Sequence, residues 1–217
     1  MSVQVNKIIA DAAEIIQDQS YARFSQADWL NYLDNAQQTV LIYRPDAYCG
    51  PSVETLVDGY RQVASAQVRK VMKVVSNIDG PAITVFDKKE LDLFDPEWIN
   101  SEKKSIIKNF DWNADEPKTF YVYPPAKAGI KVEISASLYP AKPVLGGVFL
   151  LPDEFSETCK FYMLYQAYLI ESPDYDMSKA NSFFNIFLSE IGAEKTSRIS
   201  GSPTSSVTAG EPVSNAK

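Results

Sequence analysis

The sequence predicts an α+β protein: N- and C-terminal helices packed as a bundle, an antiparallel β region inserted between them, and an extended C-terminal arm. Three observations carry this reading. Apolar residues recur at helical spacing near both ends, as in Val5, Ile8, Ile9 and Ala12 and again in Ala180, Phe183, Phe184, Phe187 and Ile191. The middle of the chain alternates apolar and polar residues between turn signals. The final stretch, "ISGSPTSSVTAGEPVSNAK", has neither periodicity nor an aromatic residue. Helices from both ends closing one core around a β insert make a reasonable layering.

The elements follow in order. "VNKIIADAAEIIQD" reads as an amphipathic helix, with Ile15 and Ile16 continuing its apolar stripe. "RFSQADWLNYLDNAQQTVLIYRP" reads as a second, with Ser25 as N-cap and Asp28 three residues on as its capping-box partner. Phe24 before the cap and Trp29 after it can form a hydrophobic staple, Trp29, Leu33, Ala36 and Val40 mark one face, and Pro45 stops the helix near Arg44. Asp58-Gly59, flanked by Leu56-Val57 and Tyr60, predicts a β-hairpin. "AQVRKVMKVV" predicts a short helix passing into a strand, because Val68, Met72 and Val75 have rough helical spacing while the end is β-branched. "NIDGPAITVFD" carries a second Asp-Gly turn, with Ile83 and Val85 on a strand.

"KKSIIKNFDW", "KTFYVYPP" and "IKVEISASLYP" follow as three short strands. Phe120 and Val122 alternate with Tyr121 and Tyr123, and Val132, Ile134 and Ala136 alternate with polar partners. Pro124-Pro125 should end the second strand, since proline cannot donate to a ladder. An antiparallel meander is the simplest topology. "PDEFSETCKFYMLYQAYLIES" predicts a helix with Phe155, Cys159, Tyr162, Tyr165 and Leu169 near one face, stopped by Pro173. "DMSKANSFFNIFLSEIG" predicts a last helix ending at Gly192 as a left-handed C-cap, and the short connection makes the two an antiparallel pair. The expected organisation is 1–50 for the first helices, 51–150 for the β-rich insertion, 151–192 for the helix pair and 193–217 for the arm.

Composition narrows the function. The 217 residues are 45% hydrophobic and 12% aromatic, enough for a sizeable core. No apolar run reaches the ~18 residues of a membrane-spanning helix. "MSVQVNKIIADAAEIIQD" carries acids and lacks the basic start of a secretory signal, so use in a cytoplasm is expected. The net charge of −7 disfavours gripping nucleic acid or an anionic membrane, although an acidic surface could line a channel through which DNA slides. There is no histidine, which removes histidine triads, bases and metal ligands. Cys49 and Cys159 are isolated, so neither zinc nor a disulfide is expected, and both read as small semi-buried hydrophobes. No cofactor is expected.

Chemistry is sparse. "LDLFDPEW" brings Asp92, Asp95 and Glu97 close in sequence. Paired carboxylates could serve as acid and base, but turn and cap chemistry before Pro96, with Trp98 as a packing anchor, explains them more simply. Asp174 and Asp176 lack the glycine and distal glutamate of an EF-hand loop, and N-capping the last helix is the simpler role. There is no P-loop and no G-x-G-x-x-G or G-x-S-x-G motif. With this charge, the 12 Tyr and 11 Phe read as core and interface anchors rather than base-stacking platforms.

"RFSQADWLNYLDNAQQTVLIYRPDA", then "LVDGYRQ", "LDLFDPEW" and "EPKTFYVYPP", and finally the helix pair Tyr162–Gly192, resemble in order the motifs of phage head-to-tail adaptor proteins. The resemblance implies a non-catalytic ring of copies beneath the portal protein of a tailed phage. Such a ring extends the DNA channel and offers a platform to a tail tube or nozzle protein. Portal symmetry implies twelve copies, with genomic DNA passing through unbound and no membrane contact. Two other readings stay open here: a tail-tube or tail-completion protein, and a tail-associated hydrolase using Asp92, Asp95 or Glu97.

The arm lies beyond these motifs. It cannot bury enough apolar surface to fold alone. Ile199, Val207 and Val213 are its only aliphatic side chains larger than alanine, and Pro203 and Pro212 restrict its backbone. With Lys217 at the end, these residues are expected to anchor the arm on another subunit or a neighbouring ring, with strand addition as one mode.

Overall fold

The computed structural model describes residues 2–113, 115–170 and 176–200, with residues 193–200 by their backbone only. The chain divides into two compact units, one of residues 1–44, 143–149 and 153–217, the other of residues 45–142 and 150–152. The class is α+β: helices dominate the first unit and two sheets the second.

In the first unit, α1 (Val5–Ile15) buries Val5, Ile8, Ile9, Ala12 and Ala13, while Ile15 stays exposed. Helix α2 (Gln26–Tyr43) begins with the expected capping box: Asp28 N–H donates to Ser25 Oγ and Ser25 N–H donates to Asp28 Oδ2. The staple also forms, with the Phe24 and Trp29 rings 5.7 Å apart at 72°. Between the two helices Asp18, only 6% exposed, accepts from the backbone N–H groups of Ala22, Arg23 and Phe24. Helix α4 (Phe155–Leu169) packs on α1, α2 and α5 (Met177–Ser200). Gln166 ties α4 to α2, accepting from Asn35 Nδ2 and donating to the Tyr32 carbonyl.

Aromatic rings join α4 to α5. Tyr162 meets Phe187, Tyr165 meets Phe184 and Tyr168 meets Phe183, at 5.0, 4.9 and 5.7 Å. Rising numbers on α4 meet falling numbers on α5, so the pair is antiparallel. Asp176 caps α5 by accepting from the N–H groups of Ser178 and Lys179. Pro173 and Asp174 lie outside the described residues. Gly192 does not end α5: the helix continues to Ser200. A helical glycine costs only about 1 kcal/mol, and the Ala193-Glu194-Lys195 that follows favours continuation.

The second unit holds a three-stranded sheet ordered β1-β7-β3 and a four-stranded sheet ordered β2-β6-β5-β4. The strands are β1 (Cys49–Thr55), β2 (Gly59–Val63), β3 (Val68–Asn77), β4 (Thr84–Val85), β5 (Asn109–Trp112), β6 (Thr119–Ala126) and β7 (Lys131–Leu138). Their apolar faces share one core, including Val71 and Val74 of β3, Phe110 of β5, Phe120 and Val122 of β6, and Val132 and Ile134 of β7. The pairing is antiparallel except between β4 and β5, which are parallel.

This arrangement corrects four expectations. The strands do not form a meander: β6 and β7 are consecutive yet lie in different sheets. Asp58-Gly59 is not a hairpin turn, because β1 pairs with β7 and β2 with β6. The turn instead carries the chain from one sheet to the other. Gly59 sits at φ 114°, Gln62 Nε2 donates to the carbonyls of Val57 and Gly59, and Asp58 accepts from Lys103 Nζ and Ala128 N–H. Pro124-Pro125 lies within β6 rather than after it. The β2 register jumps from Gly59 opposite Ala126 to Arg61 opposite Tyr121, so the prolines face no regular ladder that needs their missing N–H groups.

The fourth correction concerns "AQVRKVMKVV", which has no helix. β3 is a ten-residue strand with three register shifts against β7. Val68, Val71, Val74 and Asn77 lie opposite Leu138, Ala136, Ile134 and Val132, three residues of β3 for every two of β7. Repeated bulges thus turn a period of two into a period of three. Asn77 closes the strand: its Nδ2 donates to the carbonyls of Pro81 and Ile107, and its Oδ1 accepts from Ile107 N–H. Of "KKSIIKNFDW" only Asn109–Trp112 is strand.

Cys49 is exposed and Cys159 buried, and the described residues contain no disulfide. No described helix is long and apolar enough to cross a membrane.

Candidate functional site

The segment between β4 and β5 concentrates unusual surface chemistry within the second unit. It begins with α3 (Lys88–Phe94), a helix the sequence reading did not anticipate, followed by a 3-10 turn at Pro96–Asn100. Asp87 caps α3, its Oδ1 accepting from Lys89 N–H at 2.8 Å. Asp95 ends it, donating its N–H to the Leu91 carbonyl and accepting from Trp98 N–H on its own carbonyl.

Asp92 is the pin of this segment. Its Oδ2 accepts from Lys88 Nζ at 2.6 Å and its Oδ1 from Trp98 Nε1 at 2.8 Å. The hydrogen bond from Lys88, then that from Trp98, hold its carboxyl below the ordinary value of 3.8. The same bond raises Lys88 above 10.5. Trp98 is fully buried, with Tyr60, Phe86 and Tyr123 ring centroids 5.2, 6.2 and 6.0 Å away. Trp98 is therefore the anchor its motif suggested. Glu97 accepts from Asn100 Nδ2. The carboxylates of Asp92 and Glu97 make local hydrogen bonds, as turn chemistry around Pro96 predicts, whereas Asp95 takes part through its backbone and its side chain makes no capping bond.

A short helix clamped this firmly leaves two large apolar side chains in water. Leu93 is 81% exposed and Phe94 87%. Burying such a side chain yields roughly 1.5–3 kcal/mol, so an adjacent pair left outside on a clamped helix marks a contact surface better than scattered exposed residues do.

At the other end of α3 lies an open cleft of about 840 Å³. Phe86, Trp112 and Tyr121 supply its aromatic lining. The Trp112 ring stacks on Phe110 at 5.7 Å and 19°, and Tyr121 stacks on Tyr60 at 6.1 Å and 18°, so both are held in place. The α3 wall brings Lys88, whose Nζ lies 5.7 Å from the Tyr121 ring centre, and Lys89, which has no ion-pair partner among the described residues. The β5–β6 wall brings Asp111 and Asp115. Such a cleft can hold an apolar side chain and orient the charges beside it. The described residues contain no cluster of metal-ligating side chains.

The residues anticipated as interface anchors are not near this site in the sequence. Ile199 falls in the last turn of α5, its side chain outside the described residues, and Pro203, Val207, Pro212, Val213 and Lys217 lie outside them altogether. Sequence reasoning missed Leu93, Phe94 and Trp112 as surface groups. Leu91 and Phe94 have the i, i+3 spacing of a buried stripe, and only packing shows that this helix turns Phe94 outward.

A family model described as SU10 adaptor protein matches residues 4–208, which spans both compact units and continues past Gly192. No curated protein matches the chain.

Proposed function

Because the chain belongs to the SU10 adaptor protein family, a family of phage head-to-tail adaptors, we propose that it forms a ring of copies beneath the portal, probing no sequence and catalysing no reaction. The ring extends the DNA channel and receives the tail tube or nozzle protein. Twelve copies follow from portal symmetry. The observation that carries this reading is the extent of the family match, residues 4–208. The exposed Leu93 and Phe94 support it, since a virion subunit has neighbours to cover them.

Charge fits the same role. A chain of net charge −7 offers DNA few cationic grips, and each lysine or arginine facing DNA would add a salt-dependent hold. The channel lining is therefore acidic or neutral. The C-terminal arm docks on another subunit or a neighbouring ring, with Ile199, Pro203, Val207, Pro212, Val213 and Lys217 as its anchors.

A reconstruction of the whole particle tests this reading. The expected result is a stoichiometric ring of this chain between portal and tail, with the arm on a neighbour. Absence of the protein from purified virions would overturn it, as would a lumen dominated by lysine and arginine. A position further from the portal would favour a tail-tube or tail-completion role.

A further inference from the structure

Knob and cleft sit at opposite ends of one helix. Leu93 and Phe94 are the last two residues of α3, and Lys88 and Lys89 are its first two, about 8 Å away along the axis. The two surfaces differ in shape and agree in apolar character. The knob is apolar and flanked by the exposed carboxylates of Glu90 and Asp95. The cleft is aromatic and its charged lining is mixed: Lys88 is engaged by Asp92, Lys89 has no ion-pair partner among the described residues, and Asp87, Asp111 and Asp115 stand around them. Its volume of about 840 Å³ is ample for a phenylalanine side chain.

We propose that Phe94 and Leu93 of one copy enter the Phe86–Trp112–Tyr121 cleft of the next, with Asp95 facing Lys89. The contact is heterologous: each copy gives a knob from one end of α3 and offers a cleft at the other. Repetition of such a contact closes a ring when the rotation allows, whereas a self-complementary patch would stop at a dimer. The inference rests on the ring reading above and adds which surfaces join neighbouring copies. It gives a use to the clamping of α3. Asp92 and Trp98 hold the helix that carries the knob in place before contact, so its backbone has little freedom to lose when it docks. The stacked Trp112 and Tyr121 do the same for the receiving side.

Two variants separate the halves. Phe94→Asp removes the knob and keeps the cleft, and Trp112→Glu does the reverse. Both side chains are exposed, so both variants should melt near the full chain's temperature, which circular dichroism checks. In sedimentation velocity the unaltered chain should assemble with rising concentration, and each variant alone should stay monomeric. Mixed one to one, they should form a heterodimer and nothing larger, because one intact knob meets one intact cleft. Trp29 and Trp98 are fully buried, so a blue shift of tryptophan emission on mixing reports Trp112 becoming covered. Charge adds a second arm: Lys89→Glu should raise the concentration for half assembly about tenfold, and Asp95→Lys in the same chain should restore it. If both variants assemble like the unaltered chain, the contact lies elsewhere and the ring reading stands. If each variant is impaired but mixing produces no heterodimer, the two surfaces serve different partners and the proposal is overturned. An unaltered chain that stays monomeric at every concentration overturns the ring reading and this contact with it.

Discussion

Replacing Asp18 with alanine tests the packing of the first helices most sharply. The carboxylate is 6% exposed and receives hydrogen bonds from Ala22 N–H at 2.8 Å, Arg23 N–H at 3.1 and 3.2 Å, and Phe24 N–H at 2.9 Å. These three donors precede α2, and Phe24 also staples its first turn. Hydrogen bonds to an ionised group contribute about 1.5–3 kcal/mol each, and a buried donor left unpaired costs about 1–3 kcal/mol. Water can reach Ala22 and Arg23, which are less buried, so the terms do not add fully. A loss of about 3–4 kcal/mol follows, a large share of the ~5–15 kcal/mol typical of a domain. Asp18→Asn keeps one acceptor oxygen and loses the charge, so about half that loss is expected. Urea unfolding followed by circular dichroism, with the slope constrained to be common, measures both. A loss under about 1 kcal/mol for Asp18→Ala would refute the reasoning, because it would mean that solvent or a neighbouring carbonyl replaces the carboxylate freely.

Asn77→Ala leaves the Ile107 N–H and the Pro81 and Ile107 carbonyls without their side-chain partner in the core of the second unit, and should lower stability by about 2–3 kcal/mol in the same assay. Trp98→Ala removes a fully buried ring from among Tyr60, Phe86 and Tyr123, at a cost of about 3–5 kcal/mol by thermal unfolding, and should loosen the knob enough to impair assembly as well. Gly59→Ala meets no neighbouring atom within 4 Å, so its cost of about 1–2 kcal/mol is backbone strain at φ 114° and should fall well short of either core variant. Asp92 and Asp58 are both held below 3.8, chiefly by hydrogen bonds from Lys88 and Lys103. A depressed carboxyl stabilises the fold above its unfolded value and loses that contribution as pH falls through its lowered folded value. Unfolding midpoints measured from pH 5 down to 2 should therefore fall less steeply for Asp92→Asn than for the unaltered chain.

The helices were legible in the sequence because their determinants are local. The Ser25–Asp28 capping box, the Phe24–Trp29 staple and the stop before Pro45 involve residues a few positions apart, and each forms as the local rules require. The apolar spacing in "KFYMLYQAYL" and "NSFFNIF" likewise marks two helices, and their short connection makes the pair antiparallel, as the ring contacts show. Sheet pairing was not legible, because it joins segments far apart in the chain. Asp58-Gly59 has hairpin chemistry, yet the flanking strands find β7 and β6, and a turn residue cannot state which partner its strands will take. β3 misled for a related reason. Its three-residue burial period comes from bulges set by register against β7, and along the chain alone that period looks like a helix. What the sequence by itself determined was the class, the helices with their caps, the acidic charge, the absence of histidine chemistry and the adaptor motifs. Tertiary structure alone decided which strands share a sheet and which face of α3 meets water. Both depend on contacts between distant residues, and the energy of those contacts is not carried by any short stretch of chain. The exposed Phe94 and the cleft beside Trp112 are products of that distant packing, which no short stretch of the chain displays.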